Sequence, residues 1–255
     1  MFSSLIGGSQ PLLAAALVVF FLAGVVKGVV GLGLPTIAMA LLALLMSPSR
    51  AAALLIVPSL VTNVWQLRPW GALGPLMRRL WLMQLGVTAG TMAGAWLLGA
   101  PSGSWAMVGL GAMLIVYGAW ALSGAKLSVP PRAERPLGLV VGTLTGAITS
   151  ATGVFTVPAV PFLQALDLDR DELIQAMGIS FTVSTVVLGI SLYLNGHYST
   201  ADASASTVML VPALFGMSAG TWLRQKLSPI VFKRCFLLGL VALGLQMVLR
   251  EALAH

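Results

Sequence analysis

Charged positions are sparse along the chain, and long uncharged runs separate them: 1–26, 28–49, 51–67, 80–125, 136–166, 173–201, 203–223 and 235–249. A helix needs about 20 apolar residues to cross a bilayer, so the pattern predicts an all-α bundle of membrane-spanning helices. Run 80–125 is too long for one crossing. The Gly-, Pro- and Ser-rich turn at 99–104 divides it into helices at 80–98 and 104–123. Residues 11–30 form a first span that is expected to be retained, because no basic segment precedes it as in a cleavable signal peptide.

Composition agrees with that pattern. Of 255 residues, 58% are apolar and 8% charged, and the mean hydropathy is +0.97. A soluble domain carries about 25% charged residues, so a soluble enzyme or secreted domain is excluded, and one cysteine excludes a disulfide scaffold. The net charge of +7 does not point to nucleic acid, because the bases lie in short loops between spans. There they match loops facing anionic lipid on the cytoplasmic side.

The chain also repeats itself. At an offset of 118 positions, Gly24 and Gly28 superpose on Gly142 and Gly146. Each glycine block leads into a short apolar piece (36–46 and 154–165), a polar turn (Ser47 to Arg50; Asp167 to Arg170) and a long apolar span. The basic loops 66–79, 123–136 and 224–234 are expected in the cytoplasm; the N-terminal tail and loops 99–104 and 195–203, which carry no bases, are expected outside. Five hydrophobic segments per half place the second half upside down relative to the first. The expected fold is therefore two inverted-topology repeats with about eight full transmembrane helices. A broken or re-entrant Gly-rich segment lies near the start of each repeat. Residues 1–125 form the first repeat, 126–135 a cytoplasmic linker and 136–255 the second. The Arg50 and Arg170 turns then fall on opposite sides, and one of them departs from the charge rule.

Pieces of about a dozen residues cannot cross about 30 Å of hydrocarbon as helices. Interrupted backbone at that depth is tolerated inside protein or beside a wet cavity, and the start of a half-helix offers unpaired N–H groups to an anion. The expected donors are Gly31 and Gly33 to Thr36 in the first half. In the second they are Thr149 to Gly153, with the hydroxyls of Thr149, Ser150 and Thr152. The alternative is that the glycines only let helices approach closely. Ser59, Thr62, Asn63 and Gln66 share one helical face; Ser180, Thr182, Ser184 and Thr185 lie on the equivalent helix. Single hydroxyls often bond their own helix, whereas a buried Asn63 amide is costly unless satisfied. Lys27 is a base deep within a long uncharged stretch; it either complements an anion or snorkels to the interface. Trp65, Trp70 and Trp81 read as interfacial anchors, and Cys235 as a packed thiol.

No Asp or Glu lies inside a clear span, which argues against a carboxylate proton relay. No metal constellation, ATP-binding loop or cofactor motif is present, and His197 and His255 lie in a loop and at the terminus. An enzyme is not expected.

The doubled glycine block resembles the sulfite exporter TauE/SafE family of bacterial inner-membrane proteins. The matching residues are Ala23, Gly24, Gly28, Gly31, Leu32 and Gly33, then Gly142 and Gly146, with Thr149 to Pro158 in register with the family's Gly-rich element ending in Pro. Leu34 and Pro35 replace two glycines of the first block; Thr149, Ala151 and Thr152 replace three of the second. The resemblance implies export or uptake of small sulfur-containing or organic anions such as sulfite, sulfoacetate or related sulfonates, and with the inverted repeat the expected function is a secondary transporter, an exporter first of all. The expected partners are a small anionic substrate and the lipid bilayer, with the coupling ion (H+ or Na+) and homo-oligomerisation left open. The competing readings are an uncoupled anion channel or permease and a non-transporting scaffold subunit.

Overall fold

The computed structural model describes residues 10–253 apart from 69, 126 and 227. The expectations for the N-terminal tail, for Lys126 and for His255 lie outside the described residues. Ten α-helices follow in order: α1 (Gln10–Val30), α2 (Leu34–Leu42), α3 (Pro48–Trp65), α4 (Leu73–Leu98), α5 (Gly103–Ser123), α6 (Glu134–Thr152), α7 (Ala159–Gln164), α8 (Arg170–Leu194), α9 (Thr200–Leu223) and α10 (Pro229–Leu253). A 3-10 turn, Trp70–Ala72, precedes α4. Among the described residues there is no strand, and eight helices have 18 residues or more. Five of these (α1, α5, α8, α9 and α10) combine the length and apolarity needed to cross a membrane. The chain is an all-helical polytopic membrane protein.

The two short helices follow backbone breaks. The first break is Gly31–Gly33, where Gly31 and Gly33 adopt φ of 84° and 107°, the left-handed region open to glycine. The second starts at Gly153 (φ 71°) and runs through a cis Val157–Pro158 bond. The apolar piece expected at 154–165 is thus not one half-helix: residues 153–158 are non-helical, and only Ala159–Gln164 coil, with Pro161 in their first turn.

Long helices pair through glycine, and the pairing is reciprocal between the halves. Gly24 and Gly28 of α1 lie against the backbone of Ala213, Met217 and Gly220 of α9, and Gly216 and Gly220 lie against Phe21 and Val25. In the other half, Gly142 and Gly146 of α6 meet Met83, Val87 and Gly90 of α4, and Gly86 meets Leu139 and Thr143. Each pair runs parallel, and a Cβ at any of these glycines would collide with backbone, so the small residue sets the helix separation. By contrast α3 and α8 cross antiparallel, with Gly178 beside Gln66 and Gly189 beside Ile56. So do α5 and α10, with Gly111 beside Gly244 and Gly118 beside Val241.

The basic loops gather at one end of the bundle. Arg79 forms two hydrogen bonds with the Glu134 carboxylate (2.6 and 2.9 Å) and donates another to the Leu166 carbonyl (2.7 Å). The Val129 N–H bonds the Ala165 carbonyl (3.0 Å). Arg170 lines one cavity with Arg224 and Lys233. The 165–170 turn therefore sits at the basic end, whereas Arg50, at the start of the antiparallel α3, sits at the other and is the residue that departs from the charge rule. Trp65, Trp70 and Trp81 are exposed, as interfacial anchors require. Cys235 is also exposed, not packed: it lies on the outer face of α10.

Candidate functional site

Lys27 does not snorkel. It occupies the last turn of α1, is 3% exposed, and its Nζ donates to Thr62 Oγ1 (3.0 Å) and Asn63 Oδ1 on α3. An ammonium group has three donors, and these two neutral oxygens are its hydrogen-bond partners. Among the described residues the one ion pair joins Arg79 and Glu134, so no carboxylate balances Lys27. A cation inside a span needs a compensating charge or polar shell; the shell here is neutral.

The face of α3 that holds Lys27 owes its shape to Pro58. Proline has no N–H, which frees the Leu54 carbonyl. Ser206 of α9 donates its hydroxyl to that carbonyl (2.7 Å) and accepts from the Val57 N–H (3.0 Å), sealing the interruption. Thr62 Oγ1 turns back to the Pro58 carbonyl (2.7 Å) while accepting from Lys27. The Asn63 amide N–H then reaches across to Thr185 Oγ1 on α8 (3.4 Å). One turn on, the Gln66 amide donates to the Gly31 carbonyl, tying α3 to the first break. Lys27, Thr62, Asn63 and Thr185 thus form one buried polar cluster, which the half-buried Gln66 and Gly31 extend to the break.

Four other polar atoms among the expected residues are buried and meet no hydrogen-bond partner among the described residues: Thr36 Oγ1, Ser59 Oγ, Ser184 Oγ and Gln66 Oε1. Buried polar groups are normally paired. Ser59 lies one turn from Asn63, Ser184 is next to Thr185, and Thr36 sits in the first turn of α2, whose N-cap is Gly33.

The second half's residues have different positions. Thr149, Ser150 and Thr152 lie in the last turn of α6, not at the start of a half-helix, so their N–H groups are spent inside the helix. Their hydroxyls donate to the Thr145, Ala147 and Ile148 carbonyls, and Thr152 also accepts from the Val154 N–H. The physical reason is the location of the break: Gly142 and Gly146 pack in mid-helix, and the chain turns only at Gly153. Gly153 lies against Met39 of α2 and Ala52 of α3, which brings the second break onto the first short helix. Phe155 packs against Phe181 of α8 with the rings tilted by 55° and their centres 5.2 Å apart. Ser180 faces α4, where it accepts from the Gln84 amide (3.0 Å).

Sequence reasoning overlooked Gln84, an amide in an uncharged run, and the cross-helix roles of Thr62 and Thr185. No group of three or more His, Cys, Asp or Glu able to hold a metal occurs among the described residues.

A family model described as Sulfite exporter TauE/SafE matches residues 16–247, nearly the whole chain. The comparisons with curated proteins and with solved structures return no match.

Proposed function

The chain belongs to the sulfite exporter TauE/SafE family, a family of transporters and not of enzymes, and from that membership we propose that it exports small sulfur-containing or organic anions such as sulfite, sulfoacetate or related sulfonates. The observation that carries this reading is Lys27, a buried base with neutral partners beside a broken helix. An anion bound there would supply the charge the cluster lacks. Thr36, Ser59 and Ser184, whose hydroxyls have no hydrogen-bond partner among the described residues, offer them to the same ligand. Gly33, as N-cap of α2, adds the partial positive charge of a helix start.

Alternating access between two inverted repeats, 1–125 and 136–255 joined by a linker, is the mechanism we favour. Its support is the reciprocal glycine pairing of α1 with α9 and of α6 with α4, and the antiparallel crossing of the equivalent helices α3 and α8. On this reading the eight long helices span the membrane, and α2 and α7 belong to broken segments that carry the chain from one end of the bundle to the other. The basic end faces the cytoplasm of a bacterial inner membrane, with the N-terminus outside.

Concentrative flux is the test. Proteoliposomes containing the protein are given an imposed H+ or Na+ gradient, and sulfite and sulfoacetate contents are followed. Accumulation beyond electrochemical equilibrium supports the secondary transporter. Flux that never exceeds equilibrium favours an uncoupled channel, and no flux of any anion favours a scaffold subunit.

A further inference from the structure

A cavity of about 270 Å³ opens at the basic end, directly on the first break. Val30, Gly31 and Leu32 form part of its wall, with Leu173, Ile174 and Met177 of α8 opposite. Its charged residues come from three elements: Arg170 at the start of α8, Arg224 just past the end of α9, and Lys233 in α10. No acidic residue lines it. Among the described residues, none of these three side chains has a hydrogen bond or ion pair, although four acids lie within three positions of Arg170 in sequence. Three unpaired cations facing one concavity repel each other, an arrangement relieved by an anion.

Gln164 and Lys233 also line a second cavity of about 190 Å³, with Tyr117 and Trp120 of α5. The Trp120 indole N–H is buried and meets no acceptor among the described residues. The two cavities share a cationic side chain, and one offers an aliphatic wall and the other an aromatic one.

We infer that this vestibule is a loading site at the basic end, abutting the Lys27 cluster at Gly31 but using none of its side chains, for organic anions with a single acidic head and a short apolar body. Arg170, Arg224 and Lys233 bind the head, and the body lies on Val30, Leu173 and Ile174. A bare oxyanion fills little of this volume and gains nothing from the apolar walls, so the vestibule prefers the organic anion by burying its methylenes. The inference rests on reading the chain as an anion transporter, but it adds a site and a preference that this reading does not require.

The test is calorimetric binding of 1-propanesulfonate, methanesulfonate and sulfite to the purified full-length protein in nanodiscs. The wild type is expected to bind the propyl compound about fivefold or more tighter than the methyl one, in keeping with about 0.8 kcal/mol per buried CH₂. The triple variant Arg170→Gln, Arg224→Gln, Lys233→Gln should weaken propanesulfonate at least tenfold, while Arg50→Gln, at the other end of the bundle, keeps vestibule binding within about threefold. Arg170→Lys with Arg224→Lys, which preserves charge, guards against misfolding and should bind within about threefold of wild type. Unchanged affinity in the triple variant overturns the vestibule, as does a methyl compound bound as tightly as the propyl. Loss in Arg50→Gln equal to that in the triple variant would show a general charge effect and overturns the vestibule. Wild-type binding without flux in liposomes would sink the transporter reading and leave the vestibule standing.

Discussion

At the scale of single residues, Lys27 and Asn63 act as one unit. Asn63 accepts from the lysine with its carbonyl and donates to Thr185 with its amide, so it joins α1, α3 and α8 through one side chain. Replacing Asn63 with Leu keeps the volume but leaves Lys27 one acceptor short and Thr185 without its donor. The expected cost is about 1–3 kcal/mol of stability, read as a lower melting temperature of the purified protein, together with loss of anion binding. An unchanged melt and unchanged affinity would mean that Asn63 merely fills space.

At the scale of elements, the reciprocal glycine contacts predict paired effects. Gly24→Ala in α1 and Gly142→Ala in α6 each drive a methyl into the backbone of the parallel partner helix. Both should cost several kcal/mol, as steric overpacking does, and both should sharply reduce the yield of monodisperse protein. Gly74→Ala, with nothing near its Cβ position, should leave the melting temperature within a few degrees of wild type. If only one of the two glycines proves sensitive, the pairing is not functionally reciprocal.

The order of long, short and long segments was legible in the charge-free runs and glycine clusters, because both reflect the cost of charges and free amides in lipid. The identity of the hinge was not. Gly24, Gly28, Gly142 and Gly146 look in sequence like Gly31 and Gly33, yet the first four pack in mid-helix and the last two break the chain; only the neighbouring backbone distinguishes them. The same ambiguity misplaced Thr149 to Thr152 at a helix start. The α3 stripe was readable from its period, but a period within one helix cannot tell which neighbour Asn63 faces, and so Lys27 remained undecided between lipid interface and interior.

At the scale of the whole molecule, the end of the bundle that collects Arg79, Glu134, Arg170, Arg224 and Lys233 should face the cytoplasm. Single cysteines at Ser102 and at Arg132, on a Cys235→Ser background, test this. A membrane-impermeant thiol reagent applied to intact cells should label the first and spare the second, and permeabilisation should expose both. The reverse pattern would invert the orientation. Gly99 and Gly124, each with positive φ just after α4 and α5, bound the turns in which these probes would sit or begin.

The central claim is that a buried lysine, held by neutral side chains against a broken helix, binds the transported anion. Sulfite efflux from proteoliposomes, measured for wild type and Lys27→Met at matched protein incorporation, tests it most directly. Saturable efflux is expected in the wild type and at least a tenfold loss in the variant; equal rates in the two proteins would mean that Lys27 does not bind the anion.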